Sequence, residues 1–564
     1  MRVLIKGAGD LATGIACRLH RCGYEILMTD IAVPTAVRRT VAFSRAIYEG
    51  KAEVEGIMSV YAGSISAGDG VVEIRDAEGK DFGNRNSETR DAIGSSVKEG
   101  PEFLVKKVND ITGRGQVAVV VDEEARILPY FRPDIVVDAI IAKKNLGTGI
   151  NDAPLVIGVG PGFTAGTDCH CVIETKRGHY LGKVMYSGSA IPNTGIPGDI
   201  GGYTTERIIR AGAEGHFVPV RQIGDRVEPG DVVARVEGAG EASQAAEKGL
   251  NCDFPSAAGK DMIGVASQAA GNSPIDKEDS GCIYAAIPGI IRGLLQEGVQ
   301  VYKGMKCGDI DPRCEQEHCY TVSDKARAIG GGALEAICRF ERRRRGIGIV
   351  LLAAGEGKRY GSNKLLDVIN GRRMFETTVD AAVRAAGGGT SGSNREMTDS
   401  AAATGSSSQI SGLAVVTGYD GIAEYAAGKG FVTVRNDRPE LGISESLKLG
   451  LKALTDRSTN TGAADAVLFA VCDQPGLTAD SFRRLIDGYA ASDKGLACMG
   501  QGENMLGNPC IFSKAYFEEL NALTGDTGGK RIIMAHRDDL KVIYATDSEL
   551  ADIDIDPRKA GHVN

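Results

Sequence analysis

Apolar residues along this chain fall into short runs separated by patterns with helical spacing. Arg2-Val3-Leu4-Ile5-Lys6 reads as a buried strand that enters a glycine turn, and residues 1–150 continue to alternate strand and helix patterns. Residues 151–215 are rich in Gly, Pro and Thr, with short strands. A new buried strand opens at Ile347-Gly348-Ile349-Val350-Leu351-Leu352, a continuous apolar run suited to the centre of a parallel sheet. The reading is an α/β protein in three parts: a Rossmann-like unit at 1–150, a β-rich accessory part at 151–340, and an α/β domain at 346–564.

Three stretches break the periodicity, at residues 78–114, 240–282 and 387–412. Each is polar and small-residue-rich, and is expected to be a surface insertion with too little apolar content to order itself. Arg342-Arg343-Arg344-Arg345 is expected to be a solvated linker at a domain boundary. Gly224-Asp225-Arg226-Val227-Glu228-Pro229-Gly230 and Gly298-Val299-Gln300-Val301-Tyr302-Lys303-Gly304 share a Gly-x-x-Val-x-x-Gly pattern beside short β runs. They predict two related hairpins facing each other in a small sandwich at about 215–312. That arrangement resembles biotinyl and lipoyl carrier domains. In those, the modified lysine tips a separate hairpin; Lys306 stands beside the turn glycine, so the module is expected to be structural.

Composition narrows the function classes. With 76 glycines, no tryptophan and 42% hydrophobic residues, the 564-residue chain suits a loop-rich α/β enzyme. A formal net charge of −9 argues against nucleic-acid binding as the main activity. The 13 cysteines are scattered and are expected to be reduced thiols. With no apolar stretch long enough for a membrane span, a soluble cytoplasmic protein is expected.

The densest chemistry follows the strand at 347–352. In Ala353-Ala354-Gly355-Glu356-Gly357-Lys358-Arg359-Tyr360-Gly361-Ser362-Asn363-Lys364, glycines let backbone N–H groups approach phosphate oxygens, and Arg359 and Lys364 supply cations for a triphosphate. Ala466-Val467-Leu468-Phe469-Ala470-Val471-Cys472-Asp473 is a buried strand ending in a carboxylate, which places Asp473 at the mouth where open α/β sheets bind ligands. Hard carboxylate oxygens there suit Mg²⁺ bridging to a triphosphate.

This order of elements resembles the MobA-like nucleotidyltransferases. Asn436 and Gly442-Ile443-Ser444-Glu445-Ser446 resemble the family segment that closes on the nucleotide. Gly507-Asn508-Pro509 resembles its Gly-x-Pro strand start, and Gly525-Asp526-Thr527-Gly528-Gly529-Lys530-Arg531 its acceptor-side loop. Asp552-Ile553-Asp554-Ile555-Asp556 resembles the terminal segment where a second carboxylate faces the metal; Asp554 is the expected ligand, with Asp552 or Asp556 as alternative registers. The resemblance implies Arg359, Lys364 and Asp473 as catalytic residues. Ala353, Ala354, Gly355, Gly357, Arg359, Lys364, Asn436, Gly442 and Ser444 would hold the nucleotide, Gly525 and Asp526 the acceptor cofactor, and Asp473 and Asp554 the metal. Cys-Asp-Gln-Pro with the late Gly-Asp and Asp-Ile-Asp segments most resembles the molybdenum cofactor cytidylyltransferase branch, implying CTP as substrate and molybdenum-molybdopterin as acceptor. A sugar phosphate or other phosphorylated alcohol is the alternative acceptor.

Near the N-terminus, Gly7-Ala8-Gly9-Asp10-Leu11-Ala12 matches Gly-x-Gly-x-x-Ala, and Asp30 ends the next strand at the spacing of a ribose-binding acid. Gly7, Gly9 and Asp30 are therefore candidates for binding NAD(P), although the fold often persists without that ligand. Asp168-Cys169-His170-Cys171 could ligate metal, but strand alternation should send both cysteines to one face. It and Cys314, His318 and Cys319 are read as buried thiols with a surface histidine. Glu174, Arg177 and His179 form a denser polar group that could bind a ligand. The segments Gly160-Pro161-Gly162-Phe163, Ile173-Glu174-Thr175-Lys176-Arg177-Gly178-His179, Asn193-Thr194-Gly195-Ile196-Pro197-Gly198 and Ser323-Asp324-Lys325-Ala326-Arg327-Ala328-Ile329-Gly330-Gly331-Gly332 resemble the YqeB-type accessory proteins of selenium-dependent molybdenum hydroxylases. That resemblance implies maturation of a molybdenum hydroxylase apoenzyme as the setting, with the N-terminal part either catalytic or a cofactor-insertion chaperone.

Overall fold

A computed structural model describes residues 1–65, 72–73, 100–193, 200–238, 281–355, 363–369, 371–387, 410–456, 463–502 and 505–552. It is α/β throughout, with three bodies of sheet joined by one long helix.

The N-terminal sheet runs, in spatial order, Val184–Met185, Cys171–Ile173, Leu155–Val159, Ile135–Asp138, Arg2–Lys6, Glu25–Asp30, Val117–Val121, Ile57–Ile65 and Lys51–Val54. Its centre is parallel, and strand order reverses at Arg2–Lys6, which lies between Glu25–Asp30 and Ile135–Asp138. The sheet does not end at residue 150: Leu155–Val159 and Cys171–Ile173 extend it in parallel, so the expected boundary falls inside one sheet. Part of the first expected insertion is also ordered. Pro101–Gly113 is a helix whose Leu104, Val108 and Ile111 share one buried face. Its apolar spacing of four and three residues outweighs the polar composition around it.

The described strands between Ile208 and Asp311 form two facing four-stranded sheets. Gly215–Pro219 pairs with Val232–Glu237, and Gly289–Leu294 with Lys306–Asp311. The short strands inside the repeated motif cross over: Arg226–Val227 joins the second hairpin and Gln300–Val301 joins the first. Each copy of Gly-x-x-Val-x-x-Gly thus delivers its valine to the other copy's sheet, which is why Val227 and Val301 are both buried.

The helix Asp324–Arg345, 22 residues long, packs its first half against the helix Asp10–Arg21. Glycines on both helices permit this approach: a Cβ on Gly14 would sit 2.6 Å from the Cβ of Ala326, and one on Gly330 would sit 3.0 Å from the Gly14 carbonyl oxygen. The four arginines at its end continue the helix, and while Arg342 and Arg345 are exposed as a solvated linker would be, the other two are not. Arg343 lies 4.1 Å over the Tyr489 ring and donates to the Tyr489 and Lys494 carbonyls, while Arg344 pairs with Asp487 at 2.8 Å. They tie the helix to Ala479–Ala491 of the C-terminal domain, whose strand Ile347–Ala353 begins after Gly346.

The C-terminal sheet runs Val432–Arg435, Gly412–Thr417, Ile347–Ala353, Ala466–Val471, Met505–Ser513, Leu496–Gln501 and Leu540–Tyr544. Ile347–Ala353 is parallel to both neighbours and buried along its whole length. No helix among the described residues is long and apolar enough to cross a membrane.

Candidate functional site

Strand register builds the C-terminal site. Leu352 pairs with Val471, and the Cys472 amide donates to the Leu352 carbonyl at 3.2 Å, so Asp473 emerges beside the glycine loop that starts at Ala353. Ala353 and Ala354 are buried and Gly355 is exposed. Thr417 Oγ1 donates to the Ala353 carbonyl at 3.0 Å, fixing the loop's departure. Gly357 and Arg359 lie outside the described residues, as does Asp554.

Lys364 opens a short 3-10 turn after Asn363, whose side chain accepts the Leu365 amide at 3.1 Å. Its Nζ stands 2.8 Å from Asp473 Oδ2. The other carboxylate oxygen, Asp473 Oδ1, is buried and has no hydrogen-bond partner among the described residues. A buried carboxylate oxygen left open beside a lysine fits a hard divalent cation with phosphate ligands. No group of three or more His, Cys, Asp and Glu gathers at metal-binding distance among the described residues. Mg²⁺ does not require one, because phosphates and water complete its shell.

Asn436 continues the wall. Its amide donates to the Thr417 carbonyl at 3.0 Å, while its side chain donates to Ser446 Oγ at 3.0 Å and accepts from the Arg438 amide at 2.9 Å. Both ends of the Asn436 carboxamide therefore hold the loop that leads into the helix Ile443–Thr455. Gly442 has φ +84°, and a Cβ there would lie 2.6 Å from the Asp526 amide nitrogen. The Ser444 amide donates to the Gly525 carbonyl at 3.2 Å. The expected nucleotide segment and the expected acceptor loop, over 80 residues apart in sequence, are thus in direct backbone contact.

Beside them opens a cavity of about 380 Å³, lined among others by Gln474, Asn508, Gly529, Lys530 and Asp552. Of these, Asp552 is the alternative register named for the second metal carboxylate, and the others lie within motif segments without a role of their own. Gln474 Oε1 is buried without a hydrogen-bond partner among the described residues. Asp552 is delivered by the chain after Asp547–Leu550, a helix anchored through Glu549. That carboxylate accepts from Ser481, Arg484 and the Thr546 amide.

The N-terminal candidates also meet. Gly7 takes φ +92° against the Ala139 carbonyl, while nothing lies near the Cβ position of Gly9. Asp30 accepts the Ala8 amide at 2.9 Å and the Ile31 amide at 2.8 Å, and burial raises its pKa. Asp30 therefore shapes the glycine loop directly. A crevice of about 350 Å³ lies at this point of strand reversal.

Other expectations change. Cys171 packs with Ile173 on one face of the sheet, while Cys169, which precedes the strand, packs with Val172 on the other. His170 is not a surface residue: its Nδ1 accepts the Val156 amide at 2.9 Å, and burial lowers its pKa to about 4. Glu174 is buried with its carboxylate holding the amides of Thr175, Lys176 and Ile191, so it orders loops. Arg177 leaves that group to pair with Asp324, and His179 stacks edge-on to Tyr180. Cys319 is buried with its thiol on the Ile291 carbonyl, and His318 Nδ1 stands 4.0 Å from Asp311.

The chain is similar in part to several known proteins. Over 335 residues, 59% of this chain, it is 38% identical to the uncharacterized protein YqeB of Escherichia coli (strain K12), and spans about half of that relative, 47% of its length. The rv0371c homolog of Mycobacterium sp. strain JC1 is 26% identical and covers 37% of this chain and 92% of its own, with a TM-score of 0.29. The 4-diphosphocytidyl-2C-methyl-D-erythritol synthase of Anaerococcus prevotii DSM 20548 is 16% identical and covers 39% of this chain and 94% of its own, also with a TM-score of 0.29. Residues 349–540 match the family model of the MobA-like NTP transferase domain, so this chain carries a MobA-like NTP transferase domain in its C-terminal part.

Proposed function

We propose that the C-terminal domain transfers CMP from CTP to molybdenum-molybdopterin, releasing pyrophosphate, during maturation of a molybdenum hydroxylase. The observation that carries a nucleotidyl transfer is Asp473, with one oxygen on Lys364 and the other buried and open at the C-terminal mouth of the sheet. An acceptor phosphate oxygen attacks the α-phosphorus in line; the new P–O bond forms as the bond to the pyrophosphate oxygen breaks. Bound Mg²⁺ would neutralise charge on the triphosphate. Lys364 and Arg359 would bind its oxygens, Asp473 with Asp554 would hold the metal, and the backbone from Ala353 to Gly357 would cradle the phosphates.

Gly442 and Ser444 hold the loop at Gly525 and Asp526 against the nucleotide segment, and the cavity between Gln474, Asn508 and Lys530 receives the acceptor. Cytosine and the molybdopterin acceptor rest on the motif resemblance, and the hydroxylase setting on likeness to the YqeB-type proteins. The test is pyrophosphate release from each of the four NTPs with Mg²⁺ and purified molybdenum-molybdopterin. Preference for CTP with that acceptor is expected; release only with GTP, or only with a sugar phosphate, would overturn the specific reading and leave the domain a nucleotidyltransferase.

A further inference from the structure

A second cavity, of about 800 Å³, lies where the N-terminal sheet, the sandwich and the first turn of the helix Asp324–Arg345 meet. Nine of its lining residues are Lys or Arg and two are Asp, in a chain whose formal net charge is −9. So local an excess of positive charge opposes folding through self-repulsion and calls for an external counter-charge.

Part of the excess is internally compensated. Arg207 and Arg292 both reach Asp309, at 3.1 and 2.8 Å, and Arg38 stands 3.6 Å from Asp10. The side chains of Lys306, which is exposed, and Lys325, which is half-buried, make no hydrogen bond or ion pair among the described residues, and partial desolvation in the cleft lowers the pKa of both. Two ammonium groups with no carboxylate in contact, standing among guanidinium groups, match an anion with several oxygens. The wall is conformationally costly as well: Ile141 and Lys143 hold φ of 61° and 64°, a region that a β-branched residue such as Ile141 rarely enters. Such backbone is retained chiefly at ligand clamps and active sites.

Three segments that stood out in the sequence converge here, contributing Pro161, Thr175 to Arg177, and Ser323 with Lys325. The cleft also shares Asp10, Leu11, Thr35, Ala36 and Ile141 with the crevice at the Gly7 loop, so the two form one continuous groove. We propose that this groove binds a small organic molecule bearing a phosphate or pyrophosphate, with the anionic end on Lys306, Lys325 and Arg292 and the organic part toward the Gly7 loop. The site is separate from the triphosphate site at Lys364 and does not depend on the transferase reading.

The test uses the full chain carrying Lys364→Ala, with EDTA present to suppress metal-dependent binding at the C-terminal domain, titrated calorimetrically with inorganic pyrophosphate. Saturable binding of one equivalent is expected. Adding Lys306→Ala and Lys325→Ala should weaken it by at least about tenfold, and arginine at both positions should restore most of the affinity. ADP tested in parallel should bind more tightly than pyrophosphate if an organic part occupies the groove. Thermal unfolding of the unliganded double variant should occur at or above the parent midpoint, because removing like charges relieves repulsion. Absence of pyrophosphate binding, or binding indifferent to both lysines in a folded protein, would overturn the proposal; ADP binding no tighter than pyrophosphate would overturn the placement of an organic part.

Discussion

Lys364 Nζ lies 2.8 Å from Asp473 Oδ2, joining the short turn after the glycine-rich segment to the end of the neighbouring strand. The pair holds a cation site and an anion site in contact, and a metal-bound triphosphate would engage both. Asp473→Asn keeps the shape and removes the charge. It should lower the rate of pyrophosphate release by at least about a hundredfold, while the melting temperature changes little, since such a pair contributes about 1 kcal/mol or less. Unaltered turnover by a folded Asp473→Asn protein would remove Asp473 from the reaction.

Gly442 is required by the backbone facing it. Gly442→Ala adds a Cβ 2.6 Å from the Asp526 amide nitrogen at a φ of +84°. The acceptor loop must then shift or the turn must open, costing about 2 kcal/mol or more. Steady-state kinetics should show a larger effect on the acceptor's KM than on that of the nucleotide, because the displaced element is the loop at Gly525.

Arg343 links the long helix to the transferase domain through a stacked Tyr489 ring and two carbonyls. Arg343→Ala should destabilise the C-terminal unfolding transition by about 2 kcal/mol and speed proteolysis near residue 346. Arg343→Lys should rescue little, as an ammonium cannot reproduce the planar stack with two directed bonds. Differential scanning calorimetry would check both.

Two buried groups titrate in overlapping windows with opposite effects on stability. His170 is held near pH 4 against about 6.5 when unfolded, so its contribution is complete above about pH 6.5 and is lost as pH falls toward 4. Burial raises Asp487 to about 6 despite Arg344, so its contribution is greatest at low pH and is lost as pH rises through 6. The two nearly cancel in a whole-chain measurement. Denaturant unfolding from pH 4 to 7 should therefore show a steeper loss of stability toward acid in Asp487→Asn than in the parent, and a weaker one in His170→Asn. Parallel profiles for all three proteins would contradict these environments.

Much of the C-terminal site was legible because its chemistry is local. A strand that buries both faces must be apolar throughout, and the glycine loop and Asp473 follow such strands within a few residues. Asn508 and Lys530 were less visible because each is brought to the cavity by packing between distant segments. Glu549 illustrates this: its role in anchoring the C-terminal segment depends on Ser481 and Arg484, over 60 residues away.

The sequence by itself determined many of the strands and helices and the paired hairpins, since periodicity and backbone freedom act over a few residues. Where composition and spacing conflicted, at Pro101–Gly113, the buried apolar face decided for a helix. Only tertiary structure settled that the first sheet runs past residue 150, that Arg343 and Arg344 grip Ala479–Ala491, and that nine cations line one cleft. Strand order, ion pairing and burial are properties of segments far apart in the chain, and their energies exist only once those segments have met.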